Sequence, residues 1–232
     1  RMLRSERRDA VSSGSVSASG RASHAPPPGG GGVLALAGES TDAGEPLYGA
    51  VGEVRNLRRA YRHVTALALP SDSSLYNPTL LGSARVLHIA SHLSLDDQNP
   101  WQSALILGGD SREHWLRADE IAELDLNARL AVLAGCESAA GLVLSGEGVL
   151  SLASAFLSAG APAVVAALWQ VDDQATARLM ARFYERLAAG DGAARALREA
   201  QRRVQAEPAL SHPFYWAGFV LVGEAGQTVD LA

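Results

Sequence analysis

Short apolar segments alternate with longer amphipathic segments along the chain from residue 33 onward. Continuous runs of Val, Leu, Ile and Ala are typical of strands that are buried on both faces of a sheet. Apolar residues at three- and four-residue spacing, with arginines on the opposite side, indicate helices that cover such a sheet. The alternation predicts an α/β domain with a largely parallel central sheet. The predicted strands span 33–37, 64–69, 85–91, 103–107, 130–134, 162–169 and 215–222, and the predicted helices span 47–61, 118–124, 149–159, 173–188 and 193–205.

The first 32 residues have a different composition, because Ser, Gly and Pro dominate there and the segment ends in four glycines, 29–32. Such a segment cannot bury enough apolar surface to offset the entropy of ordering it. We therefore expect a disordered tail or linker over 1–32 and one folded domain over 33–232. The chain begins with Arg1 instead of methionine, so we expect it to be a fragment of a longer protein.

The charge balance and hydropathy exclude several classes of function. The 232-residue chain has a net charge of −5 and a pI near 5.7, which argues against a nucleic-acid partner bound through its phosphates. All 20 basic residues are arginine, so neither Schiff-base chemistry nor a Walker-type lysine is available. No apolar run approaches the roughly 20 residues of a membrane span, and no secretory signal is visible. We expect a cytoplasmic protein without a membrane partner.

The single cysteine, Cys136, follows a predicted strand after one glycine, and His92 directly follows another predicted strand. Since sites in parallel sheets lie at the carboxyl ends of strands, thiol and imidazole would emerge side by side if the two strands are neighbours. A nearby imidazole favours the thiolate and can later protonate a leaving amine. The pair therefore indicates nucleophilic acyl transfer. The ordinary alternative is that Cys136 is a small buried hydrophobe.

Two other motifs have simpler explanations. His88 and His92 form H-x-x-x-H, but the surrounding residues favour a strand and no third ligand is evident. We therefore expect no metal site and interpret His88 as a hydrogen-bonded core histidine. The glycines of 141–148 resemble parts of nucleotide-binding loops, yet Glu147 stands where a phosphate-binding loop requires lysine. A nucleotide-binding domain is thus disfavoured.

Asp172 and Asp173 follow the predicted strand 162–169 at the same edge of the sheet. Their ordinary role would be to cap the next helix and complement its dipole. The sharper hypothesis is that they form the wall of a substrate pocket that selects a basic side chain. Trp169 is interpreted either as a core residue, which is favoured, or as a further part of that pocket.

Taken together, the ordered motifs resemble the CHAT family, caspase-like domains that are usually associated with tetratricopeptide repeats. The resemblance covers about residues 45–223, nearly all of the predicted folded part. It rests on V-L-H-I-A-S-H at 86–92, L-A-G-C-E-S at 133–138 and G-E-G at 146–148, with further agreement at 103–107, 155–161, 168–173, 183–184, 196–200 and 212–219.

The resemblance implies a caspase-like three-layer sandwich with a mostly parallel central sheet flanked by helices. It implies a thiol protease that needs no metal or organic cofactor, with His92 and Cys136 as the catalytic dyad. The backbone amide of Leu93 and that of Gly135 or Cys136 would lie near the oxyanion. The expected partners are a protein or peptide substrate and a tetratricopeptide-repeat or other regulatory protein.

One position departs from the family pattern, since the family commonly has glycine after the catalytic histidine and this sequence has Leu93. If that position required φ > 0, the conformation would be costly for leucine. This departure keeps a second hypothesis open, in which the chain is a catalytically silent CHAT-like interaction module.

Overall fold

The computed structural model describes residues 32–38, 48–69, 78–107, 115–135, 147–169 and 171–229. The strands are β1 (Val33–Gly38), β2 (Val64–Leu69), β3 (Val86–Ala90), β4 (His92–Ser94), β5 (Ala104–Ile106), β6 (Trp115–Arg117), β7 (Leu130–Leu133), β8 (Ala163–Ala167) and β9 (Phe219–Gly223). The helices are α1 (Tyr48–Ala60), α2 (Pro78–Ser83), α3 (Ala118–Ala122), α4 (Glu147–Ser158), α5 (Asp173–Ala188) and α6 (Ala193–Gln205).

The central sheet has the strand order β2-β1-β3-β7-β8-β9. Its neighbouring strands are parallel, except that β9 runs antiparallel to β8. The inner strands β3, β7 and β8 are buried along their whole length, which explains why they read as continuous apolar runs. The prediction of a largely parallel sheet is confirmed.

The two faces of this sheet are covered by different helices. Along β3, Leu87 and Ile89 belong to the apolar cluster of α3 and α4, whereas Val86 belongs to the cluster of α1, α5 and α6. This alternation follows from the pleat, which points successive side chains to opposite faces. The result is the three-layer sandwich that the family resemblance implies. Among the described helices, none is long and apolar enough to cross a lipid bilayer.

A second sheet, with strand order β4-β5-β6, is antiparallel and differs from the sequence prediction. The pattern predicted one strand over 85–91 followed by a polar loop, but β3 ends at Ala90 and β4 starts at His92. Strands of three residues are too short to show a clear period-two pattern. The last strand also starts later than predicted, because a 3-10 helix occupies Pro213–Tyr215.

A buried polar cluster connects α1 and α5 to the centre of the sheet. His88 is fully buried in β3, and its Nδ1 lies 2.9 Å from the hydroxyl of Tyr184 on α5. Its Nε2 lies 2.9 Å from Oε2 of Glu53 on α1, whose exposed fraction is 3%. The Tyr61 hydroxyl donates to the Tyr184 carbonyl at 3.1 Å. The interpretation of His88 as a hydrogen-bonded core histidine is confirmed.

Burial raises the pKa of the Glu53 carboxyl above its ordinary value of 4.5; the contact with His88 opposes this rise, and the charge of Asp173 adds to it. An acid with a raised pKa binds its proton more tightly in the folded state than in the unfolded state. Its contribution to stability is therefore fully present below the ordinary pKa and is lost as the pH rises through the folded pKa.

We predict that Glu53→Gln removes this loss of stability, because glutamine keeps an acceptor for His88 but cannot ionise. As the pH rises above about 4.5, the free energy of unfolding of the wild type should fall relative to that of the variant. The fall should reach at most about 1.4 kcal/mol for each pH unit. Urea unfolding of both proteins over a pH series measures this difference, and parallel stability curves would contradict the prediction.

Candidate active site

Two neighbouring strand ends lie together at one edge of the central sheet. β3 and β7 are parallel, with Ile89 opposite Leu133, and the Ala134 amide donates to the Ile89 carbonyl at 2.9 Å. The pairing thus continues beyond the last residue of β7. The two strands are therefore neighbours, as the predicted pairing of His92 with Cys136 requires.

Gly135 lies against the backbone of Ser91 at this edge. A Cβ at position 135 would lie 1.9 Å from the Ser91 carbonyl oxygen and 3.1 Å from its carbonyl carbon. Because both of these atoms belong to the backbone, any side chain would force the two strand ends apart. His92 directly follows Ser91 and Cys136 directly follows Gly135, so this contact limits how far apart their backbones can be.

His92 is the first residue of β4, where it pairs with Ile106. Only 5% of its surface is exposed. Its backbone is therefore fixed by β3 on one side and by the ladder to β5 on the other. Such support suits a general base, because proton transfer requires a narrow range of donor–acceptor geometry.

Leu93 has the extended backbone of a strand, opposite Leu105 of β5. Its side chain is 3% exposed and packs in the apolar cluster of α3 and α4. The φ > 0 conformation that would have strained a leucine is not adopted at this position. The departure from the family's glycine therefore adds a core side chain and brings no backbone strain.

Cys136 lies outside the described residues, as does the rest of the segment up to residue 146. The residues on both sides of this segment are described, since Gly135 is buried at the end of β7 and α4 begins at Glu147. The role of the thiol stays a prediction.

The beginning of α4 packs against the turn between β4 and β5. Ser103 is fully buried, its Oγ accepts from the Asp96 amide at 3.0 Å, and its carbonyl accepts from the Ala118 amide at 2.8 Å. A Cβ on Gly148 would lie 2.9 Å from the Ser103 Oγ. The second glycine of the G-E-G motif thus has a packing role, which the sequence alone did not reveal.

The two acidic residues predicted for a substrate pocket lie at the start of α5. Asp172 is exposed and caps the helix, because its Oδ1 accepts from the Ala175 amide at 2.9 Å. Asp173 is partly exposed and is the first residue of the helix. The capping interpretation of Asp172 is confirmed, and the substrate role of both carboxylates stays a prediction.

Trp169 follows β8 by two residues and is 40% exposed, so the favoured interpretation as a core residue is wrong. Its indole N–H donates to the Phe214 carbonyl at 3.1 Å, and its ring packs on Gly218, where a Cβ would lie 2.9 Å from a ring carbon. Phe214 is itself 44% exposed. Sequence position could not distinguish an anchored, half-exposed tryptophan from a buried one.

Within the described ranges, no group of His, Cys, Asp or Glu side chains is arranged to hold a metal ion. A cavity of about 350 Å³ is lined by Gly32, His63 and Ser83 among others. It lies at the amino ends of β1 and β2, at the edge opposite to His92.

A family model for the CHAT domain matches residues 2–224. The chain belongs to the CHAT domain family. The match covers nearly the whole chain and confirms the resemblance that the sequence motifs indicated. The fold of this CHAT domain is likewise the one that the family resemblance implied.

Two curated relatives of the CHAT domain are tetratricopeptide repeat proteins. Tetratricopeptide repeat protein 28 of Mus musculus is 41% identical over 112 residues, and its Homo sapiens counterpart is 37% identical over 155 residues. The alignments cover 48% and 66% of this chain but only 4% and 6% of the relatives. The chain therefore corresponds to a small part of these much longer proteins.

Solved structures similar to this CHAT domain include cysteine proteinases. Gingipain R (RgpB) of Porphyromonas gingivalis, an Arg-specific cysteine proteinase, has a TM-score of 0.55 at 12% identity. The structural alignment covers 87% of this chain and 48% of the gingipain chain. A chain of the Saccharomyces cerevisiae separase–securin complex has a TM-score of 0.51 at 15% identity, and the alignment covers 84% of this chain and 12% of that one. At such identities the similarity shows the fold alone.

We predict that Gly135→Ala destabilises the CHAT domain, because the added methyl group would overlap the Ser91 carbonyl. The free energy of unfolding should fall by roughly 3 kcal/mol, the size expected for a steric conflict with backbone. Denaturant unfolding measures the change, and a variant as stable as the wild type would contradict the close approach.

Gly52→Ala is the matched control for this substitution. Gly52 lies inside α1, and a Cβ there would meet no heavy atom within 4 Å. Alanine is favoured over glycine in a helix, so this variant should gain about 0.5–1 kcal/mol.

Proposed function

We propose that this CHAT domain is a cysteine endopeptidase in which Cys136 is the nucleophile and His92 is the general base and acid. The observation that carries the proposal is the contact between Gly135 and Ser91, since it holds the residues that precede Cys136 and His92 together. That gingipain R, a cysteine proteinase, shares this fold gives further support.

The proposed reaction proceeds through an acyl-enzyme. The imidazole of His92 takes the thiol proton, the thiolate of Cys136 attacks the scissile carbonyl, and the imidazolium then protonates the leaving amine. Water hydrolyses the thioester by the same base catalysis. We assign the stabilisation of the oxyanion to the backbone at Leu93 and Gly135. His92 lies in a nearly solvent-free position, where a dipole aimed at the developing charge is more effective than in water.

We further propose that the acidic start of α5 favours substrates with a basic side chain. Asp172 is exposed and Asp173 is partly exposed at the start of α5, the helix that follows β8, and β8 is the strand next to β7. A guanidinium or ammonium group near them would meet two carboxylates, and Trp169, three residues before Asp172 in the chain, offers a half-exposed aromatic ring for the same cation. Gingipain R, which has this fold, is itself Arg-specific.

Regulation by another protein or by an attached module is part of the proposal. The relatives in which this domain is found are tetratricopeptide repeat proteins, and separase is present in its structure together with securin. Helical repeats present extended binding surfaces. We propose that a repeat module or a partner protein controls access to Cys136.

We predict that the folded chain reacts rapidly with iodoacetamide and that His92→Ala slows the reaction by about tenfold or more at neutral pH, because the base that favours the thiolate is lost. The chain has one cysteine, so alkylation reports on Cys136 alone. Mass spectrometry of timed samples, with the unfolded protein as reference, measures the rate.

His63→Ala is the control, since His63 is exposed at the opposite edge of the sheet and its loss should leave the rate unchanged. A thiol that reacts only after unfolding would overturn the peptidase proposal. That result would instead favour a catalytically silent interaction module.

We predict that Asp172→Asn and Asp173→Asn reduce cleavage after Arg relative to cleavage after uncharged residues, each by about tenfold in kcat/KM. Asparagine is as good an N-cap as aspartate, so Asp172→Asn removes the charge while keeping the helix start. A peptide-library cleavage profile measures the ratio, with Cys136→Ala as the blank. Asp125→Asn, at an exposed position before β7, is the control. An unchanged ratio would remove both carboxylates from the pocket.

A further inference from the structure

The cavity of about 350 Å³ at the amino ends of β1 and β2 takes no part in the proposed reaction. The end of α2 closes it on one side, since Leu80 and Ser83 line it together with residues of both strands. β2 is the outermost strand at this side of the described sheet, so no further strand among the described residues covers the cavity. Small-molecule sites occupy roughly 300–1,000 Å³, so this cavity has room for a small organic molecule.

Backbone contacts fix the wall of this cavity. The Gly32 carbonyl accepts from the Arg85 amide at 3.1 Å, and the His63 carbonyl accepts from the Val33 amide at 2.9 Å. A Cβ on Gly32 would lie 2.2 Å from the His63 carbonyl oxygen, so only glycine allows this close approach. The residues that precede β1, β2 and β3 are thereby held together. The wall is preformed, as is usual for sites that bind small molecules.

The lining of the cavity combines an apolar part with two basic side chains. Arg62 and His63, which lie between α1 and β2, are both exposed and both line the cavity. Among the described residues that form the lining, none is acidic. Such a lining offers contact to an apolar group and a positive charge to an anion. The apolar part consists of five residues, Val33, Leu34, Val64, Leu80 and Ala84.

The charge of Arg62 is not neutralised within the described part of the chain, because no carboxylate there lies within ion-pair distance of it. The arginines of α5 differ, since Arg178 contacts Glu207 and Arg186 contacts Asp191. The last turn of α1 adds two more exposed arginines, 58 and 59, whose ordinary role is to complement the helix dipole. Together these charges raise the positive potential around the end of α1 and favour the approach of an anion.

We propose that this cavity binds a small organic anion with an apolar body, of the class of the medium-chain carboxylates. The planar guanidinium of Arg62 matches a carboxylate through two parallel hydrogen bonds, and His63 adds a second basic group beside it. The apolar body packs against the aliphatic lining. The charged head stays at the exposed side chains, where it keeps part of its hydration, so its desolvation cost is small.

The inference is independent of the proposed peptidase function, because none of the lining residues belongs to the candidate active site. The cavity and His92 lie at opposite edges of the central sheet. A ligand that binds only the folded state stabilises it, so occupancy of the cavity would raise the stability of the domain as a whole.

The test is isothermal titration calorimetry of octanoate with the full chain, with the bound site located by amide NMR shifts. We expect saturable binding and the largest shifts at the amides of Gly32, Thr65 and Ser83, which line the cavity. Butyrate keeps the head group but shortens the apolar body, so it should bind at least about tenfold more weakly. Octanol keeps the body without the charge and should also bind about tenfold more weakly.

Arg62→Ala should weaken octanoate binding by about tenfold, and Arg62→Lys, which keeps the charge without the planar fork, should weaken it less. Arg55→Ala is the matched control. Arg55 is exposed on α1 and makes no ion pair within the described ranges either, but it does not line the cavity, so its loss should leave the affinity unchanged. Thr65→Trp, at an exposed lining position of β2, should fill the cavity and abolish binding.

The proposal is overturned if octanoate shows no saturable binding, if the shifts lie away from the cavity, or if a folded Thr65→Trp variant binds as the wild type does. Equal affinities for octanoate and octanol, or an unchanged affinity in Arg62→Ala, would reject the assigned ligand class. Because Arg62 is exposed, this variant carries the test even if Thr65→Trp does not fold. An inert Cys136 would reject the peptidase proposal and leave these binding results unaffected.

Discussion

The close approach of Gly135 to the carbonyl of Ser91 is the contact on which the candidate site depends. Parallel pairing brings β3 and β7 side by side, and the hydrogen bond from Ala134 to Ile89 extends that pairing past the end of β7. A residue without a side chain then lets the two segments leave the sheet in backbone contact. In the sequence, each segment continues directly into one member of the proposed dyad, so the contact holds together the residues that precede them.

The small antiparallel sheet gives His92 a second source of order. A histidine in a loop would depend on its own contacts for position, whereas His92 begins a strand that pairs with β5 and is anchored one residue later by the buried side chain of Leu93. Leucine at this position gains apolar burial in the cluster of α3 and α4. The departure from glycine is thus compatible with the strand that holds the histidine.

The layer formed by α1 and α5 combines support of the sheet with electrostatics. Helix α5 follows its capping residue Asp172 near the end of β8 and includes Tyr184, whose hydroxyl lies 2.9 Å from His88 Nδ1 of β3. Most of the contacts in this layer are apolar and stabilise the fold by burial. Glu53 is a buried polar residue of this layer, and its burial raises the pKa of its carboxyl. One helix layer thereby connects the Asp172 end of the sheet with the buried carboxyl group of Glu53.

The sequence alone determined the α/β class, the parallel sheet and most helix and strand positions, because continuous apolar runs and helical periodicity depend on local patterns. Its ordered motifs resembled the CHAT family, and the family match confirmed that resemblance. It also indicated that His92 and Cys136 follow strands, and that His88 is a core residue. The sequence pattern missed α2, β4 and β6, because very short elements carry no periodicity. It also misjudged the burial of Trp169, because the exposure of a side chain depends on distant neighbours such as Phe214. Only the tertiary structure decided that β3 and β7 are adjacent, that Leu93 is extended, and that Glu53 meets His88. Each of these features depends on residues far apart in the chain, whose contacts form only when the layers pack together.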